Sequence, residues 1–218
     1  MIPERELVIP EIELVMPENS TKERVLTMRA YGATVTLTPA EGGIEASIDY
    51  ARNKVENEGY VMLDQFANGN NPKMHYETTG PEIYRDTNGE VTHFVSAMGT
   101  TGTIMGVSRF LKEQNSEIKI IGVQPADGAK IPGIRKWPEE YLPKIFERSR
   151  VDSVIEVSET EAKDMAKRLA KEEGVFGGMS SGGAVAAALR MIETMEEGVV
   201  VCIICDRGDK YLSTDLFE

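Results

Sequence analysis

The amino-acid sequence predicts an α/β fold of parallel sheets flanked by helices. Three observations predict it. Apolar strand-like runs alternate with runs of helical period, two Ser-x-x-Glu boxes mark helix starts, and glycine-rich turns sit where a strand-like run passes into a helical one. Strands that alternate with helices pair in parallel through right-handed crossovers.

Ile12-Glu13-Leu14-Val15-Met16 is the first expected strand. Ser20 and Glu23 have the spacing of a capping box, in which each side chain satisfies an orphan backbone N–H of the other, so a helix is expected to open there and end at Gly32. Thr34-Val35-Thr36-Leu37-Thr38 has a period of two and reads as a second strand. Ile44, Ile48, Ala51 and Val55 then share one helical face, and residues 60–64 are expected as a third strand, giving β-α-β-α-β. Farther on, Val91–Ala97 and residues 118–123 read as strands around a Gly-Thr loop and a helix reaching Phe110. Ser158 and Glu161 form a second capping box, and Ala162, Met165, Ala166 and Leu169 make the apolar stripe of its helix. Gly177-Gly178-Met179-Ser180-Ser181-Gly182-Gly183 opens an Ala-rich helix leading to Val199-Val200-Val201-Cys202-Ile203-Ile204-Cys205, a buried strand. Between Asp127 and Arg150, Pro132, Pro138 and Pro143 interrupt any long element, and so long a loop in a compact domain is often functional.

The 218 residues carry 36 Asp and Glu against 24 Lys and Arg, a formal charge of -12. That disfavours a nucleic-acid partner, because such binding depends on cations replacing phosphate counterions. No stretch approaches the roughly 18 apolar residues of a membrane span, and residues 1–12 hold acidic groups with Pro3 and Pro10 where a signal peptide needs a basic start. A cytoplasmic protein with no membrane partner is expected. Cys202 and Cys205 have C-x-x-C spacing, yet three strand steps separate their Cα atoms by roughly 10 Å, beyond the roughly 7 Å reach of a disulfide. Two reduced core thiols are expected, with no metal.

Gly99-Thr100-Thr101-Gly102-Thr103 falls between an expected strand and an expected helix. Glycines let backbone N–H groups approach an anion, threonine hydroxyls add donors, and a helix N-terminus carries partial positive charge, so this loop is suited to a phosphate. Ser180-Ser181 marks a second glycine-flanked helix start; serine is also a preferred N-cap, so simple capping is the bland explanation. Two such starts facing one crevice can hold the two ends of one cofactor.

With these motifs, Asp64-Gln65-Phe66, Thr78-Thr79-Gly80-Pro81-Glu82 and Cys205-Asp206-Arg207-Gly208-Asp209 match in order the pattern of the cysteine synthases, and the chain resembles that family from about Glu13 to Phe217. Ile131-Pro132-Gly133-Ile134-Arg135-Lys136-Trp137-Pro138 is similar to the type B branch, which accepts thiosulfate as well as sulfide. The resemblance implies a fold-type II pyridoxal-phosphate (PLP) enzyme, tryptophan synthase β-like, that replaces the acetate of O-acetylserine with a sulfur nucleophile, giving cysteine or S-sulfocysteine. It implies that Gly99, Thr100, Thr101, Gly102 and Thr103 cradle the PLP phosphate and that Ser180 hydrogen-bonds the pyridine nitrogen. It further implies that Gln65 reaches the substrate carboxylate region and that Arg135 and Lys136 attract the anionic sulfur donor. It divides the chain into an unmatched segment 1–12, a remnant of the smaller mobile domain at 13–68, and the larger phosphate-binding domain at 69–218.

The match lacks the family's first quarter, and with it the Asn-Pro…Ser-x-Lys segment of the Schiff-base lysine. Asn71-Pro72-Lys73 matches a different place and lacks the serines, while Lys22 reads as a solvated charge. No catalytic residue is therefore assigned, and the chain alone is expected to be inactive. Uncovered apolar faces are expected to drive association, as homodimer or otherwise. The alternative is a non-catalytic fragment that binds PLP or a partner.

Overall fold

The structure, a computed structural model, describes residues 11–218. Prolines 3 and 10 and the rest of residues 1–10 lie outside them. The described residues form two compact units, divided between Met62 and Leu63.

In the first unit, β1 (Glu13–Pro17) pairs in parallel with β2 (Thr34–Thr38), Glu13 opposite Thr34. The crossover is α1 (Lys22–Ala30), where Thr21 rather than Ser20 takes the N-cap position and no side chain caps the helix. The expected first capping box is therefore not what opens it. Gly32 ends the turn that follows, at φ +88°, a left-handed conformation that glycine adopts without a Cβ clash. In α2 (Gly43–Glu58) only Ser47 and Ile48 are buried, and Val55 on the expected apolar face is exposed. The expected third strand at 60–64 does not form: Val61 is 89% and Leu63 81% exposed, and the run pairs with neither strand. A β-rich composition makes a strand only where a sheet edge accepts its backbone groups.

The second unit holds a four-stranded, all-parallel sheet in the order β5-β4-β3-β6, comprising β3 (Val91–Ala97), β4 (Lys119–Pro125), β5 (Ser153–Val157) and β6 (Val199–Cys202). Val95, Ile121 and Val123 face one core with Ala162, Ala166 and Ala187. Phe94 and Ile120 face another with Ile104, Val107 and Leu111. Adjacent residues thus serve opposite faces, as a period of two requires, and each fully buried Phe, Ile or Leu contributes roughly 1.5–3 kcal/mol. The covering helices are α5 (Gly102–Gln114) on one face and α6 (Glu159–Glu173) with α7 (Met179–Ile192) on the other. The capping box at α6 forms as expected: Ser158 Oγ accepts from the Glu161 N–H, and the Glu161 carboxylate accepts from the Ser158 N–H at 2.7 Å.

Two helices, α3 (Asn70–Glu77) and α4 (Thr79–Asp86), and strand β5 carry no sequence signal strong enough to be expected. Strand β6 ends at Cys202, so Cys205 lies beyond it and is exposed. Both thiols are free, but only Cys202 is a strand residue, and burial pushes its pKa up to about 12. No described helix is long and apolar enough to cross a membrane.

Candidate functional site

The turn from β3 into α5 makes the centre of the site. Met98 ends the strand direction with its N–H on Val123 O, and residues 99–101 then turn the chain into the helix. Thr101 adopts φ +72°, unusual for a β-branched residue and worth of order 1–3 kcal/mol in strain. Thr101 is buried, and its Oγ1 has no hydrogen-bond partner among the described residues. Thr101, at the N-cap position of α5, gives the first turn no side-chain acceptor, and the Gly102 N–H reaches Thr100 Oγ1 instead, at 3.3 Å.

Helix α3 packs against this turn. A Cβ on Gly102 would fall 1.8 Å from Asn71 Oδ1, and one on Gly106 2.1 Å from Pro72 O, so only glycine admits the helix at this distance. Asn71 Nδ2 donates to Thr100 Oγ1 at 3.2 Å and to Gln65 O at 2.8 Å. His75 Nε2 lies 3.2 Å from Thr103 Oγ1 and its Nδ1 3.0 Å from Thr79 Oγ1. Burial lowers the His75 pKa, which favours a neutral ring.

Across the turn runs the proline-interrupted loop. The Arg135 N–H donates to Met98 O at 2.8 Å, and Trp137 Nε1–H donates to Gly99 O at 2.8 Å. Trp137 meets the edge of Phe66 at 5.3 Å between centroids. Gly133, at φ +90°, lies between the two glycine-flanked helix starts: a Cβ on Gly99 would be 2.9 Å from Gly133 O, and one on Gly133 would be 2.8 Å from Ser180 Oγ.

At α7 the N-cap position is Gly178, with Ser180 and Ser181 in the first turn. The helix is capped instead by a carboxylate from the segment after β6. Asp206 accepts from the N–H groups of Gly178 (3.1 Å), Ser180 (3.3 Å) and Ser181 (3.0 Å), from the Ser181 hydroxyl, and from Tyr211 Oη at 2.7 Å. Burial raises the Asp206 pKa, but the hydrogen bonds from Ser181 and Tyr211 outweigh it and hold the carboxyl below its ordinary range. The two helix starts are thus unlike: α7 already has a carboxylate, and α5 has none among the described residues. Ser180 Oγ lies 3.2 Å from Cys205 Sγ; with the thiol donating, the serine O–H remains available to a further acceptor.

The sequence-predicted residues fall as follows. Gly99, Thr100, Thr101, Gly102, Thr103 and Ser180 converge through Gly133, and exposed Gln65 is tied to the same turn through Asn71. Arg135 lies over the Trp137 ring at 5.7 Å. Lys136 turns to Asp127 (2.7 Å) and Glu156 (2.9 Å), and those bonds raise its pKa. Asn71, His75 and Asp206 enter the site without having been assigned a role from sequence. Asp206 lay within a matched motif, whereas Asn71 and His75 had only their one-turn spacing to mark them.

The donor set fits a phosphate. Thr100 Oγ1 accepts from Asn71 and, at 3.3 Å, from the Gly102 N–H, leaving its own hydrogen to donate outward. The Thr101 hydroxyl is unpartnered, and the helix start is uncapped.

A family model described as "Pyridoxal-phosphate dependent enzyme" matches residues 9–206. Cysteine synthase B of Pseudomonas aeruginosa is 58% identical over 202 residues, covering 92% of this chain and 67% of that protein. Cysteine synthase B of Escherichia coli is 52% identical over 200 residues, covering 92% and 66%. Among solved structures, the cysteine synthase of Entamoeba histolytica superposes with a TM-score of 0.84 at 35% identity, covering 95% of this chain and 64% of that one. An O-ureido-L-serine synthase gives 0.87 at 34% identity, covering 95% and 68%. The chain spans about two thirds of the length of these relatives. On these matches and on the shared parallel-sheet architecture, the chain belongs to the pyridoxal-phosphate dependent enzyme family, on its cysteine synthase branch.

Proposed function

We propose that these residues are the phosphate- and ring-holding part of a cysteine-forming β-replacement enzyme that acts on O-acetylserine with sulfide or thiosulfate. The observation that carries this reading is the uncapped start of α5 beside the buried, unpartnered Thr101 hydroxyl. Thr100, Thr101 and Thr103 donate to the phosphate with the backbone N–H groups that follow Gly102, and Gly99 lets the Gly133 carbonyl come close to the turn. Ser180 donates its hydroxyl hydrogen to the pyridine nitrogen. A neutral donor there leaves that nitrogen largely unprotonated, which limits the chemistry to β-elimination and re-addition. Bound at this position, PLP supplies the electron sink for departure of the substrate's β-substituent.

Gln65 orients the substrate carboxylate region, and Arg135, steadied against Trp137, draws in the anionic sulfur donor with its planar fork. Lys136 has less to offer, because two carboxylates already hold it. Turnover also needs an amine that links to the cofactor and leaves it again. Neither Lys73, paired with Glu77, nor Lys136, paired with Asp127 and Glu156, is assigned that role, and we expect the isolated 218 residues to bind PLP without forming cysteine.

The test is titration of the purified chain with PLP, followed by equilibrium dialysis against inorganic phosphate, then assay with O-acetylserine and sulfide. Saturable binding that phosphate displaces supports the cradle; absence of binding overturns it. Cysteine formed by the isolated polypeptide would overturn the expectation of no turnover.

A further inference from the structure

Helix α3 and the start of α4 carry polar residues at one-turn spacing: Asn71 meets Thr100, His75 meets Thr103, and Thr79 stands behind His75 at its Nδ1. An inference about them rests on the phosphate-cradle reading above. Thr103 has one hydroxyl hydrogen, and whether it points outward or back into the protein depends on what His75 does. A neutral imidazole carries one N–H. If that hydrogen is on Nε2, it donates to Thr103 Oγ1, and the threonine hydrogen is free to point at an anion. If it is on Nδ1, the ring accepts the threonine hydrogen and the cradle loses a donor. The hydroxyl of Thr79, 3.0 Å from Nδ1, can donate there, which is the contact the first arrangement requires.

We infer that His75 is a positioning residue: held as its Nε2–H tautomer by Thr79, it turns the Thr103 hydroxyl outward to the phosphate. The Asn71 amide does the same for Thr100, donating to the oxygen so that the hydroxyl hydrogen faces away. The chain Thr79, His75, Thr103 spans three helices, α4, α3 and the first turn of α5, and Gly106 brings them together: a Cβ there would lie 2.6 Å from His75 Cβ. The histidine touches neither the substrate nor the reacting atoms. Its effect is confined to the phosphate end of the ligand.

The experiment compares binding of pyridoxine phosphate and pyridoxine, neither of which forms an imine with lysine, by equilibrium dialysis of the full chain. Variants are His75→Gln, His75→Asn and His75→Ala. A glutamine amide reaches the place of Nε2 and can donate to Thr103; an asparagine amide reaches only the place of Nδ1. Loss of one charge-assisted contact corresponds to about tenfold in affinity. The expected result is therefore about tenfold weaker pyridoxine phosphate binding in the Asn and Ala variants, rescue in the Gln variant, and unchanged pyridoxine binding throughout. Equal losses in Gln and Asn, or equal losses for the two ligands, overturn the inference and leave the cradle standing. A parent chain that prefers neither ligand overturns the cradle and the inference together. Far-UV circular dichroism of each variant identifies any loss that comes from unfolding, and Thr79→Val gives a second reading: a weakened preference for the phosphorylated ligand is expected, and an unchanged one counts against the tautomer assignment.

Discussion

The indole N–H of Trp137 donates to the carbonyl of Gly99 at 2.8 Å, which ties the proline-interrupted loop to the turn between β3 and α5. The loop contributes a backbone bond of its own at Arg135, so the strap has two fixings on adjacent residues, Met98 and Gly99. Replacing Trp137 with Phe keeps an aromatic ring against Phe66 and removes the donor. We expect a loss of about 1–3 kcal/mol from the unsatisfied carbonyl, read as a lower urea midpoint. An unchanged midpoint would show that water replaces the indole.

Thr101 combines a left-handed backbone with a buried, unpartnered hydroxyl. Both cost stability, and both are the kind of cost found at ligand sites. Thr101→Gly is expected to raise the stability of the unliganded chain by about 1–3 kcal/mol and to weaken binding of pyridoxine phosphate. A calorimetric scan with and without ligand separates the two effects. A variant that loses stability in both would mean that the hydroxyl has a structural role.

Asp206 closes the start of α7. Asp206→Asn leaves several N–H donors facing a weaker acceptor, and a loss of about 2–4 kcal/mol is expected. The pH dependence has a definite sign. The folded-state pKa lies below the ordinary value, so the carboxylate stabilises the fold fully above the unfolded value of roughly 3.9, and that stability is lost as pH falls through the lower folded value. Urea midpoints of the parent chain measured from neutral pH down into that acid range should fall more steeply than those of the Asn variant. Parallel curves would exclude Asp206 as the group concerned.

Lys136 forms two ion pairs at the surface, and exposed pairs of this kind contribute little. Lys136→Met is expected to leave the urea midpoint unchanged within error. Gly133→Ala is expected to behave differently, because φ +90° disfavours any Cβ and the added methyl meets Ser180 Oγ at 2.8 Å. A lower melting temperature and weaker PLP binding should appear together. Wild-type binding by the Ala variant would show that the loop yields without moving Ser180.

Much of this protein was legible from local sequence. Period determines β1, β2 and β3 closely, and capping the start of α6, since each depends on neighbours within a few residues; α5 runs on to Gln114, past the expected Phe110. The Gly-Thr turn was recognisable for the same reason: its chemistry is carried by adjacent backbone N–H groups. What the tertiary structure alone decided is pairing at long range. Residues 60–64 have strand composition but pair with neither strand of the two-stranded sheet, and Cys205 falls past the end of the strand that its apolar neighbours suggested. Asn71 and His75 lie 29 and 28 residues from the threonines they hold, and Asp206 26 and 25 residues from Ser180 and Ser181, which it caps. No periodicity marks such partners. Hydrogen bonds between distant segments depend on where packing brings the helices, and here glycines 102 and 106 set that approach.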